Sequence, residues 1–482
     1  MEIKEKKMLT ARKAEDFSEW YQQAIINSEF VDYSAVSGMI AFRPAAYFAW
    51  DAVRSATSKL FIESGIQDVY FPMLIPEHLL EKEQEHVEGF SPEVAWVTHT
   101  GKSKIDERLA IRPTSETIMY YSYSKWIRSW RDLPMRFNQW NSVIRWEFKH
   151  PVPLLRSREF MWNEGHTAFA TKEDAEAERD VVLGIYEKVL KDYLALPGIK
   201  GRKTDKEKFA GALASFSIEH MLPNGLAIQG PDFHVDGQNF AKVFDIKFLD
   251  KDGSVKYAYQ NTFAISTREL GVMIAVHGDD KGIVLPPKLA LVQVVIIPIF
   301  KEQNRAKIIA AAHELSKALS GIRVFIDETD AYSPGWKFNE WELKGVPVRI
   351  EIGEKEVSGD SITVARRDTL EKMSIKKQEA REKLLALLED IHVNLYKRAL
   401  ERLSKSIHKV STMKEFKELI ESRSGFAQAP WCGKVECEDK IKEETGAKAT
   451  NMPFDVQGEA EGKKCVYCGS DAIAIVNFAK SY

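Results

Sequence analysis

Downstream of Pro44 the apolar positions Tyr47, Trp50, Val53, Leu60 and Phe61 fall near helical spacing, and Gly65 stands where such a helix would end. The run VYFPMLIP at 69–76 follows at once and predicts a strand. Pro72 and Pro76 cannot donate to a ladder, so this strand belongs at an edge or an interface rather than mid-sheet. Beyond residue 286 the rhythm changes. ALVQVVIIPIF reads as a buried strand, 302–319 as a helix ended by Gly321, IRVFID as a strand and 336–344 as a helix. The strands VRIEIG and SITVARR and a long helix from about Thr369 complete the run, and such alternation predicts a compact α/β unit. Leu285, Pro286 and Pro287 mark its start, and a Lys/Glu-rich helical stretch from about 399 leads into a cysteine cluster.

Composition changes this picture little. The 482 residues, 44% hydrophobic and 29% charged, describe a globular chain with room for two to four domains. A formal net charge of -3 gives no bulk attraction to nucleic acid, so RNA contact would need local basic surfaces. The N-terminus has no apolar core like that of a secretory signal, and no apolar run is long enough to span a membrane; a cytosolic protein is expected. All 4 cysteines lie near the C-terminus, as Cys432-x4-Cys437 and Cys465-x2-Cys468. Two close thiol pairs in a reducing compartment predict a closed, structural four-thiolate metal site, zinc first and electron-transfer iron second.

The densest chemistry lies between 110 and 280. Arg145 and Glu147 are two apart, so on a strand they would share a face and set a cation beside a carboxylate. A guanidinium gripping phosphate or carboxylate beside an acceptor for an exocyclic amine suits a nucleotide site; the plainer reading is a cross-strand ion pair. The order of companions weighs against the plainer reading: IRPTSE at 111–116, RWEF at 145–148, RSREF at 156–160, WNEGH at 162–166, KFAG at 208–211, AIQG at 227–230 and STRELG at 266–271. In this order the chain resembles the prolyl-tRNA synthetases, class II aminoacyl-tRNA synthetases, from about residue 15 to its end.

The resemblance implies an α/β multidomain fold. A class II catalytic domain with a mixed, mainly antiparallel sheet and helices would cover 1–285, an α/β anticodon-binding domain 286–398, and an α+β zinc-containing C-terminal domain 399–482. It implies ligation of proline to tRNA(Pro) through prolyl-adenylate, with ATP as substrate and Mg²⁺ beside Gln229. Arg145 would meet the α-phosphate and the proline carboxylate, Glu147 the adenine amine, Arg156 the outer phosphates, and Arg268 the adenine face, with Ser266 completing the ATP site. Thr114 and Glu116 would accept from the proline ammonium; Trp162, Phe209 and His234 would wall the ring; Glu164 and His166 would brace them. The run PDFHVDG at 231–237 departs from the Gly-Thr-Ser-His-His type of eukaryotic relatives, which leaves the roles of Asp232 and Phe233 open.

No cysteine precedes Cys432, which excludes the active-site zinc of threonine enzymes of this class, and no editing insertion separates RSREF from STRELG, as in archaeal or eukaryotic types. Further expectations are a homodimer through the segment around 44–76, anticodon contacts by Glu340, Lys344, Arg366 and Arg367, and a C-terminal Tyr482 reaching back to the catalytic domain. Two rivals stay open: an adenylate-forming relative serving another acceptor, and a non-enzymatic RNA-binding paralogue.

Overall fold

The computed structural model describes residues 8–86, 93–147 and 150–482, with the side chains of 82–86 left aside. The first seven residues, and Phe148 of the RWEF motif, lie outside the described residues.

Pro44 occupies the first turn of the helix Pro44–Glu63, and the chain leaves it through Gly65 at φ +87°. The expected single strand over 69–76 is two short strands instead. Gln67–Val69 pairs in parallel with Met135–Ile144 at one edge of the main sheet, while Leu74–Pro76 pairs with Ser103–Ile111 in a separate three-stranded sheet. Pro72, lacking an N–H, lies in the break between them, and both pieces are edge strands, the second ending on Pro76.

The main sheet has 11 strands and is antiparallel except at its two outermost pairings. Its centre runs Ile199–Arg202, Ala214–Met221, Ala227–Gly237, Tyr259–Ala264, Glu159–Phe169 and Met135–Ile144. The helix Lys172–Val189 packs against this centre, capped by Thr171, whose side chain accepts from the Asp174 N–H, and burying Val182, Leu183, Tyr186 and Val189. Glu178 is buried on the same face and is met by Arg136, the Thr167 hydroxyl and the Asn261 amide. Burial still raises its carboxyl above the usual range.

The C-terminal strands Lys448–Pro453, Ala474–Ala479, Phe426–Trp431 and Ile407–Lys409 continue this sheet, because Met452 and Pro453 pair with Arg202 and Gly201. The last 80 or so residues thus dock through backbone hydrogen bonds as well as side chains. A second sheet of five strands carries Val294–Pro298, Val324–Ile326 and Val348–Ile352 in parallel, followed by Ser361–Arg366 and Lys372–Lys376 in antiparallel sense. The helix expected from Thr369 begins only at Ala380, since 372–376 form that edge strand; the helix then runs unbroken to Lys405, past residue 398. No helix among the described residues is long and apolar enough to cross a membrane.

Candidate active site

The centre of the main sheet floors a cavity of about 240 Å³. Its walls include Thr114, Glu116, Arg145, Trp162, Glu164, His166, Phe209, Gln229 and His234, nine of the residues singled out from sequence. Close approach is possible here because residue 165 is glycine: a Cβ would fall 1.9 Å from the Phe263 ring on the neighbouring strand.

Glu164 organises one end. Its Oε1 accepts from the Ser115 hydroxyl at 2.8 Å and the Asn141 amide at 2.6 Å, and its Oε2 from the Ser115 N–H at 2.7 Å, with His166 Nε2 at 3.4 Å. Burial alone would raise this carboxyl; the adjoining His166 ring and the hydrogen bonds from Asn141 and Ser115 outweigh it and hold it below the usual range. The Thr114 hydroxyl donates to Glu116, so both are held at the cavity wall at the start of the helix Glu116–Trp126. Asp236 is fully buried, neither oxygen has a hydrogen-bond partner among the described residues, and burial, with Glu116 adding to it against the nearby Thr262 hydroxyl, pushes its carboxyl well above the usual range.

The opposite wall is aromatic. Phe209 stacks on His234 with ring centres 4.8 Å apart, and His234 Nδ1 lies 2.8 Å from the Ser215 hydroxyl. Trp162 donates through Nε1 to Asn141, and the Arg145 guanidinium lies 5.0 Å from its ring centre while Nε donates to the Pro113 carbonyl. The two open residues of PDFHVDG acquire clear positions. Asp232 accepts from the Gln229 amide at 2.8 Å and lies 3.5 Å from His234, and Phe233 is a buried core ring stacked on Phe263.

Arg268 opens the helix Arg268–His277 and donates to the carbonyls of Leu155 and Gln229. Burial lowers its guanidinium below its ordinary value; Arg145 and Arg156 push the same way, against Glu269 and Asp232. Arg145 and Arg156 therefore both lie within electrostatic reach of Arg268, which is far from both in sequence, as a polyphosphate site requires. Behind them Glu269 lies 3.1 Å from His220, both buried, and the Ser266 hydroxyl accepts from the Arg268 N–H.

Some expectations need correction. Arg145 and Glu147 do not share a strand face, because the strand ends at Ile144; Arg145 N–H bonds Arg158 O and the chain then turns, leaving Glu147 exposed and off the cavity wall. Arg156, Ser266 and Arg268 are likewise not among its lining residues. Arg156 is exposed on a loop and donates to the backbone carbonyl of Tyr482, whose N–H reaches Ala227. The four charged residues expected at an anticodon are held in ion pairs within the chain. Lys344 pairs with Glu29 and Glu340, Arg366 with Asp368 and Asp390, and Arg367 with Asp279, and the Arg367 side chain is 1% exposed. These pairs join helices within this part and tie it to the catalytic part through Glu29 and Asp279.

Sequence reasoning missed Ser115, Asn141, Lys203, Ser215 and Thr262. Lys203 lines the cavity and pairs with Glu219 at 2.6 Å. Its closeness in sequence to KFAG is the one signal that could have found it; nothing in the local pattern singles out Asn141.

At the C-terminus the four cysteines are free thiols whose sulfurs all lie within 4.8 Å of one another. Cys432 Sγ is 3.6 Å from both Cys437 Sγ and Cys468 Sγ. A tetrahedral ion with metal–sulfur bonds of about 2.3 Å sets its sulfurs roughly 3.8 Å apart, so these residues fit such an ion.

Comparison with known proteins agrees with this geometry. Residues 97–277 match the family described as tRNA synthetase class II core domain (G, H, P, S and T), 293–387 the anticodon binding domain, and 413–482 the prolyl-tRNA synthetase C-terminal family. A relative from Bacillus cereus named proline–tRNA ligase 2 is 44% identical over 480 residues, covering 99% of this chain and 100% of that one. A proline–tRNA ligase from Alkaliphilus oremlandii is 45% identical over 468 residues, covering 97% and 96%. The crystal structure of prolyl-tRNA synthetase from Cryptosporidium parvum, complexed with halofuginone and AMPPNP, superposes with a TM-score of 0.94 at 43% identity, covering 99% of this chain and 100% of that one.

Proposed function

Because this chain belongs to the prolyl-tRNA synthetases, class II enzymes that use ATP to ligate proline to tRNA, we propose that the cavity around Glu164 and Arg145 is where proline is activated. One observation carries this reading: acceptors for an ammonium, a guanidinium for a carboxylate and an aromatic wall converge on a single cavity, with Arg268 in electrostatic reach of Arg145.

In this reading Thr114 and Glu116 accept from the secondary ammonium, and Trp162, Phe209 and His234 enclose the ring. Arg145 orients the proline carboxylate and neutralises the α-phosphate. One carboxylate oxygen attacks α-phosphorus, the bond to the bridging oxygen breaks, and pyrophosphate leaves. The ribose hydroxyl at the tRNA 3′ end then attacks the carbonyl carbon, and AMP leaves. No side chain serves as a covalent nucleophile; the rate comes from positioning and charge neutralisation. Arg268 and Arg156 hold the phosphates, Glu147 accepts from the adenine amine, and Ser266 completes the nucleotide site. Glu147 is exposed and would have to close over the adenine. Gln229 would hold Mg²⁺ through Oε1, since its amide nitrogen is committed to Asp232. When bound, that ion supplies further neutralisation of the phosphate oxygens.

We further propose catalytic, anticodon-binding and C-terminal units over 1–285, 286–398 and 399–482, and a cytosolic location in which Cys432, Cys437, Cys465 and Cys468 hold a structural Zn²⁺. Homodimerisation through the segment around 44–76 is supported by its exposed apolar side chains, Tyr47 at 56%, Ile62 at 62% and Tyr70 at 70%. The test is ATP–pyrophosphate exchange and tRNA charging with a panel of amino acids. Proline should support both far above the others; exchange driven equally by alanine or threonine would end the proline assignment.

A further inference from the structure

Away from the catalytic cavity, a recess of about 470 Å³ opens where three parts of the chain meet. One wall is a face of the helix Ala380–Lys405 carrying Arg398, Glu401, Arg402 and Lys405. The others are the turn that follows the strand Ala214–Met221 and the loop holding Arg423. Turn and loop touch backbone to backbone only because residue 225 is glycine. It has φ +76°, and a Cβ there would lie 1.8 Å from the Arg423 carbonyl oxygen, so this part of the rim is fixed.

The lining as a whole carries four cations against one carboxylate, Glu401. None of the five forms an ion pair among the described residues. Arg398 donates to the Asp368 carbonyl and Arg402 to the Val276 carbonyl, both neutral acceptors, while Lys405 and Arg423 are exposed and make no side-chain hydrogen bond. Behind Arg402, Lys13 Nζ reaches the Val276 and Gly278 carbonyls. Buried neighbours feel these cations. Burial lowers Lys13 to about 7, with Arg402 and Arg398 adding to it against Asp279 and Asp280, and burial lowers His277 to about 3, with Lys13 and Arg402 adding to it against the hydrogen bond to the Leu194 carbonyl. Like charges gathered without counter-ions repel one another, and an anion of high charge density relieves that repulsion.

We propose that this recess is a phosphate-binding site, gripped by Arg398, Arg402, Lys405 and Arg423, for a phosphodiester of bound tRNA or a free phosphate anion. Guanidinium forks suit phosphate oxygens, and Glu401 leaves room for one such group rather than a dense polyanion. The site shares no residue with the proline cavity, yet Val276 lies about 12 Å along its helix from Arg268, so an occupant would sit behind the nucleotide-binding helix.

The test is the double variant Lys405→Gln with Arg423→Gln in the full-length enzyme, at two side chains that hold nothing else in place. Proline-dependent ATP–pyrophosphate exchange, which needs no tRNA, should be unchanged; its loss would overturn the separation of the two sites. For a tRNA phosphodiester, the KM for tRNA should rise about tenfold and the salt dependence of tRNA binding should fall by about one unit of slope per lost contact. For a free anion, the KM for tRNA should hold, while thermal stabilisation by inorganic phosphate, present in the parent, should vanish. The charge-conserving pair Lys405→Arg with Arg423→Lys should behave as the parent in both assays. A double glutamine variant with parental tRNA KM, salt slope and phosphate stabilisation would refute the proposal.

Discussion

Replacing Glu164 by glutamine probes the brace of the site with almost no change of shape. The carboxylate accepts at both oxygens, from Ser115 N–H at 2.7 Å on one and from the Asn141 amide at 2.6 Å on the other. Glutamine must turn an NH₂ toward one of them. The Ser115 N–H is backbone and cannot reverse. The Asn141 amide cannot flip either, because its Oδ1 accepts from Trp162 Nε1 at 2.8 Å. Either rotamer therefore sets two donors face to face in a buried place. Losing one charge-assisted hydrogen bond and stranding a buried donor costs about 2–4 kcal/mol. Urea unfolding near neutral pH, followed by circular dichroism, should show a loss of that size, and exchange assays should show KM for proline raised about tenfold or more, since the same contacts set Ser115 and Thr114. The pH dependence has a definite sign. Because the folded carboxyl lies below its ordinary value, its stabilisation is present above the unfolded value near 4.5 and is lost as pH falls through the folded one. The gap between parent and Glu164→Gln should therefore narrow on acidification. Equal stability and equal KM would mean that Glu164 is already protonated and braces nothing by charge.

Asp236 should behave in the opposite way. Its raised carboxyl remains protonated in the fold while the unfolded chain ionises, so the parent loses stability as pH rises above about 4. Asp236→Asn should be at least as stable near pH 8, with the advantage shrinking toward pH 4; a variant less stable at every pH would contradict this. Arg367→Gln should loosen the anticodon-binding part from the catalytic part by about 1–3 kcal/mol, a figure discounted because the Asp279 side chain is 41% exposed. Faster proteolysis near residues 283–289 and weaker tRNA charging, with proline exchange retained, would show it. Zinc, measured by elemental analysis, should be stoichiometric with the chain and fall away in Cys437→Ser; a metal-free parent of full stability would remove the structural role of the four thiols.

Much of the α/β part could be read from sequence because its signals are local. Gly65 and Gly321 end helices, Val294–Pro298 is uniformly buried, and alternating apolar runs separate strands from helices. The strand Lys372–Lys376 escaped because four of its five residues are not buried and two are lysines, a pattern that resembles the first turn of an exposed helix. Individual candidate residues were singled out by motif, whereas their supports, Ser115 and Asn141, gain meaning only when Glu164 is brought beside them from another strand. The same limit hid the partners of Arg366 and Arg367. A charged pair at a strand end reads as solvent-facing until Asp279 and Asp390 are seen to meet it. Glu147 was tied to Arg145 by a strand period, and the ladder stops at Ile144, before either residue.

The convergence of Arg145 and Arg268 on one bound triphosphate is tested most directly by proline-dependent ATP–pyrophosphate exchange in Arg145→Ala and Arg268→Ala, each checked for a parental circular dichroism spectrum. Loss of two or more charge-assisted contacts to developing charge should lower exchange by about a thousandfold or more in each. Exchange within about tenfold of the parent in either folded variant would contradict the account.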